Sequence, residues 1–200
     1  MGTRTNALVD HRIPDFWNQD AVIESLKASL PDCVTVREYW SSIEPDDSNS
    51  AQLWTGRFHH NPPEKDFVWY DGPGGFSIRF GSRVAVVSAQ CRWRGFLSIE
   101  PLQVVHSNAF RKIALSLGGA QMLLIPDDDI VEPMAIDDGA SLSDCQSKLR
   151  ERCGPPRRRS VLAENDAALQ PPACWKVWHV ESLYDSLPDT GHQIAEHTLK

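Results

Sequence analysis

The stretch FVWYDGPGGFSIRFGSRVAVVSAQCRWRGFLSIEPLQVVHSNAFRKIALSLGGAQMLLIPDDD, residues 67–129, decides how this chain folds. Phe76, Ile78 and Phe80 alternate with Ser77 and Arg79, the period of a half-buried strand. Asp71-Gly72-Pro73-Gly74-Gly75 before them is a turn by composition. Gly81-Ser82 reads as a hairpin connection into a strand over 83–93. A two-residue turn sets Phe80, Ile78 and Phe76 level with Arg83, Ala85 and Val87; a three-residue turn sets them level with Val84, Val86 and Ser88. Sequence leaves both open.

Ser98 then serves as N-cap of a helix, with Pro101 tolerated in its first turn. Leu102, His106, Ala109, Phe110, Ile113 and Leu117 recur at helical spacing and form its buried stripe. Gly118-Gly119 ends the helix, and the apolar run 120–125 is a strand interior to the sheet.

On either side of this stretch, residues 1–13 read as a flexible N-terminal arm, 14–186 as a single α+β domain, and 187–200 as a tail. A first helix starts between Asp15 and Asp20 and ends before Pro31. Strands follow at 33–40, where Val34 and Val36 alternate with Thr35 and Arg37, at 52–59 and at 66–70. Ser141 and Asp144 cap a helix whose apolar side is Leu142, Cys145, Leu149 and Cys153, stopped by Gly154-Pro155-Pro156. A last strand covers 174–181. The expected architecture is a largely antiparallel, twisted sheet of five to seven strands, with two to three helices mainly on one face.

Net charge is −7, which argues against general nucleic-acid or anionic-membrane binding. No apolar run approaches the roughly 20 residues of a bilayer span, and the N-terminus lacks the apolar core of a secretory signal. Five widely spaced cysteines contain no CxxC pair, so neither a zinc site nor a disulfide framework is implied. These features point to a cytoplasmic chain with reduced thiols and no cofactor.

Two polar groups stand out as partner- or ligand-binding residues. Gln90, Arg92 and Arg94 alternate on one side of the fifth strand, and Asp127, Asp128 and Asp129 follow the interior strand. Consecutive aspartates on a strand point alternately, so they do not converge on a metal. Lys148, Arg150, Arg152 and Arg157–Arg159 form a basic counterpart, whose simplest role is either pairing with the acidic loop or solvation beside a helix C-terminus, where cations are favoured. His106 on an apolar stripe reads as a hydrogen-bonded core residue, and no catalytic signature occurs.

The strand leading into Arg94-Gly95 and a helix is similar to the acetyl-CoA-binding turn of GNAT-type acyltransferases, and the order of elements is compatible with that class. Phe96, Leu97 and Ile99 follow where that turn uses small residues to bring amides to a pyrophosphate. The resemblance implies an acyltransferase as one alternative, and a structural subunit of a larger assembly is another. The leading expectation is a non-catalytic protein-binding domain, such as a bacterial toxin-immunity partner. Its support is an acidic chain with seven tryptophans and no catalytic signature.

Overall fold

At the centre of the fold lies a strand formed by Arg4–Asp10 (β1), hydrogen-bonded on both sides. The computed structural model describes residues 4–43, 52–59, 67–157 and 173–183. The other strands are Thr55–His59 (β2), Phe67–Gly72 (β3), Phe76–Phe80 (β4), Val84–Arg92 (β5), Gln121–Pro126 (β6) and His179–Ser182 (β7). They form one antiparallel sheet in the order β2-β3-β4-β5-β1-β6-β7. A single α+β domain with an antiparallel sheet is therefore the architecture.

The flexible arm read over 1–13 is corrected by β1. Ala7, Leu8 and Val9 are fully buried, two facing one side of the sheet and Leu8 the other. A strand covered on both faces shows no apolar–polar alternation, and seven residues with a polar start look like an arm. Asp10 fixes the strand's end, its Oδ1 accepting from the amides of Ala120 and Gln121 at 3.0 and 3.1 Å. The tail read over 187–200 lies outside the described residues.

The strand read over 33–40 is also corrected. Those residues belong to a helix, Leu30–Ile43 (α2), which follows the shorter helix Gln19–Leu26 (α1) through a 3-10 turn. Cys33 and Val36, three apart, are fully buried, and Trp40 packs against the same core. The β-branched run Val34-Thr35-Val36 mimics a strand locally. Burial at helical spacing overrides it. Asn18 caps α1 by accepting from the Ala21 amide at 3.2 Å.

The β4–β5 hairpin takes neither expected register. Phe80 is level with Ala85, Ile78 with Val87 and Phe76 with Ala89. This is a two-residue slip from the tightest turn, so every side chain keeps its face. Gly81 is required in the connection, because a Cβ there would sit 2.1 Å from the Ala135 carbonyl oxygen.

Downstream, β5 stops at Arg92, and Trp93–Ser98 forms a short helix (α3). The next helix is Glu100–Ser116 (α4), with Pro101 in its first turn. Ser98 is not its N-cap: that position is Ile99, without a side-chain cap, while Ser98 Oγ donates back to the Arg94 carbonyl. The expected α4 stripe is buried from Leu102 to Leu117, and Gly118 turns out of the helix at φ 77°. β6 then enters between β1 and β7.

Helices α1 to α4 cover one face, packing on Ala7, Val9, Phe76, Ile78, Ala85 and Val87. Val131–Ile136 (α5) and Leu142–Cys153 (α6) pack on the second face, against Leu8, Val84, Val86, Leu123 and Ile125. Ser141 and Asp144 make the expected reciprocal cap of α6. The strand read over 174–181 is shorter: Ala173–Lys176 is a 3-10 turn, and β7 starts at His179.

All five thiols are free, and burial raises each above its ordinary value, Cys33 and Cys91 to about 12 and Cys145 to about 11. Cys153 is the one not fully shielded. Thiol labelling of the native protein followed by peptide mass mapping should therefore modify Cys153 first, with Cys33 and Cys91 reacting only on denaturation. Equal labelling of all five without denaturant would contradict the burial described.

Candidate partner-binding face

The second face of the sheet divides in two. Its β1–β6 half, with the start of β5, carries Leu8, Leu123, Ile125, Val84 and Val86 beneath α5 and α6. Alternation puts Arg57, Trp69 and Asp71, Ser77 and Arg79, and then Ser88, Gln90 and Arg92 on the other half. Gln90 and Arg92 are exposed, and the Arg57 side chain is 68% exposed. This half is a polar floor with arginines standing on it.

Contacts along the floor fix several of these groups. Arg57 Nε lies 3.2 Å from Asp71 Oδ2. The Arg79 guanidinium sits over the Trp69 ring, 5.5 Å from its centroid, within cation–π range. Its NH2 group donates to Glu132 Oε2 at 3.2 Å. Glu132, in the first turn of α5, is 5% exposed. Its Oε1 accepts from Asn6 Nδ2 and from the Asp128 amide at 3.0 Å. Burial lifts this carboxyl from 4.5 to about 7, and the nearby Asp127 charge adds to the rise. The Asp128 amide, Asn6 and Arg79 pull the other way. Asn6 Oδ1 is buried without a hydrogen-bond partner among the described residues.

The residues singled out in sequence fall into three places. Gln90 and Arg92 lie on the open half of the second face, the half that no described helix covers, as their alternation implied. Arg94 does not join them, because β5 ends at Arg92 and Arg94 stands in α3. Its neighbour Gly95 is helical too, and Phe96 and Leu97 are buried, so these residues do not form the strand-to-helix turn that the acyltransferase likeness requires.

The acidic run is split. Asp128 Oδ1 accepts from the amides of Ile130 and Val131 and also receives the Arg152 guanidinium, at 2.8 Å. The acidic loop and the basic helix therefore meet, through Asp128 and Arg152. Asp127 and Asp129 stay exposed, and the Asp127 amide donates to the Arg4 carbonyl. Arg4 pairs with Arg92 across the β1–β5 ladder, so Arg92, Arg4 and Asp127 line one end of the sheet.

Sequence reasoning missed Arg57, Trp69 and Arg79. They were legible in outline, since Arg79 alternates with the apolar residues of β4. Asn6 and Glu132 carried no local signal. One lies in a segment that reads as an arm, the other in a stretch with many acids.

His106 is a structural residue. His106 is fully buried; its Nδ1 is 2.8 Å from the Leu102 carbonyl, while Nε2 accepts from Trp40 Nε1 at 3.4 Å. That pattern requires Nδ1 to be the donor and the ring to be neutral, in keeping with burial lowering its pKa to about 4. Among the described residues no group of three or more His, Cys, Asp or Glu side chains could hold a metal ion. No described helix is long and apolar enough to cross a membrane. No known protein family, curated protein or solved structure matches this chain.

Proposed function

We propose that this chain is a non-catalytic protein-binding domain, of the kind that docks onto and neutralises another protein as a toxin-immunity partner does. The docking surface in this reading is the open half of the second sheet face. One observation carries it: Arg57 and Arg79 flank Trp69, and Arg92 stands level with Arg4 at the far end of the same face, in a chain whose net charge is −7. Arginine and tryptophan supply much of the binding energy at protein interfaces. Arg4 and Arg92 stand level on adjacent strands, a like-charge pairing that costs stability in isolation and is relieved by an incoming carboxylate.

The partner surface that complements this face is acidic. The acidic loop is the weaker attachment point, because Asp128 is committed to capping α5 and to Arg152. Affinity capture from the native host with the tagged chain, followed by calorimetry on the purified pair, tests the reading. A stoichiometric partner with an acidic contact surface is the expected result. Recovery of no stoichiometric partner under several conditions would count against it.

A further inference from the structure

We infer that the outer edge of β2, which pairs with no other described strand, receives an extended strand from the partner protein, one whose side chains alternate between apolar and acidic. This rests on the protein-binding reading above and specifies how part of that partner is held.

β2 is the last strand of the sheet and pairs, among the described residues, with β3 alone. Thr55, Arg57 and Phe58 are all exposed. An uncovered edge strand presents main-chain N–H and C=O groups in the spacing that another strand satisfies. Edges of this kind are commonly blunted by proline or a bulge. Thr-Gly-Arg-Phe-His contains no proline and pairs with β3 in unbroken register.

The two sides of this edge differ in chemistry. On the first face, Phe58 is 55% and Trp17 46% exposed, and their rings are 5.8 Å apart. Leu53, also exposed, precedes the strand. Trp17 is held in place: its amide donates to Asp15 Oδ1, and its neighbour Phe16 stacks on the core residue Phe80 at 5.5 Å. The apolar step is thus an outward continuation of the core. On the second face stands Arg57, whose Nε is the nitrogen that approaches Asp71. Its two terminal nitrogens face no other carboxylate among the described residues, and a guanidinium fork takes a carboxylate in two parallel hydrogen bonds.

Side chains of an added strand project alternately to the two faces. Those on the first face meet Phe58 and Trp17 and are apolar. Those on the second meet Arg57 and are carboxylates. Arg57 belongs to both surfaces, so the added strand continues the arginine-rich floor.

The probe is a blocked heptapeptide alternating valine and glutamate, titrated into the isotope-labelled full chain and followed by amide and indole NMR. The expected result is that resonances of residues 55–59 and the Trp17 indole shift together, at least about tenfold more tightly than with a valine–lysine peptide. Phe58→Lys removes the response and Arg57→Glu weakens it; both positions are exposed, and the unperturbed remainder of the spectrum verifies the fold. Shifts confined to other residues, equal affinity for the lysine peptide, no response at millimolar peptide, or pairing of β2 with a second copy of the chain would each overturn the inference. Its failure is separable from that of the protein-binding reading. A captured partner that binds Phe58→Lys as well as the unaltered chain removes the edge and leaves the face.

Discussion

Deleting residues 1–10 should abolish cooperative folding. The deletion removes β1, and with it the partner of both β5 and β6. Leu8 and Val9 are fully buried, and each contributes about 2 kcal/mol through burial alone. Two ladders of backbone hydrogen bonds go with them, leaving buried donors and acceptors unpaired on both neighbours. The sum approaches or exceeds the roughly 5–15 kcal/mol by which a domain of this size is stable. Circular dichroism should show loss of native structure and no thermal transition. A truncated chain that melts within a few degrees of the full one would mean that this segment is a dispensable arm.

The second large effect is a destabilisation whose size depends on pH. Glu132 binds its proton more tightly in the folded chain than in the unfolded one, because burial raises its carboxyl from 4.5 to about 7. Its contribution to stability is fully present below about pH 4.5 and is lost as pH rises to about 7. Above that range the ionised carboxylate depends on Arg79, its hydrogen-bonded cation. Arg79→Met should cost about 2 kcal/mol at about pH 8 and much less at about pH 5, where Glu132 is protonated. The figure lies below that for a wholly buried pair because Arg79 is 34% exposed. Glu132→Gln should remove the loss of stability between pH 4.5 and 7. His106 contributes the opposite slope, since its depressed pKa makes stability fall as pH drops from 6.5 towards 4. Urea titrations of the natural chain and both variants across this range separate the two. An Arg79→Met cost that is the same at both pH values would contradict the proposed role of Glu132.

The difference between what was readable and what was not follows from the range of each interaction. The α4 stripe, the Gly118 exit, the α6 cap and the face of β4 are set by residues within a few positions of one another. They were all legible. β1 failed because its evidence is tertiary: a strand buried on both faces has no alternation, and its partners lie some eighty and one hundred and twenty positions away. α2 failed because three β-branched or alternating residues outweighed the spacing of Cys33, Val36 and Trp40. Of the candidate site, Gln90 and Arg92 were placed by period alone, and Arg94 was lost by extending that period past the end of β5. The Asn6–Glu132–Arg79 network joins three elements from different parts of the chain, so no local pattern announces it.

The proposed docking of a partner on the arginine-bearing half of the second sheet face is probed by Arg92→Glu. Opposite Arg4, the new glutamate replaces a like-charge pair with an attractive one, so the fold should be no less stable. Calorimetry with the captured partner should nevertheless show affinity falling by about a hundredfold, because a carboxylate now meets the acidic surface. Unchanged affinity for Arg92→Glu, with the fold intact, would mean that the partner does not dock on this face.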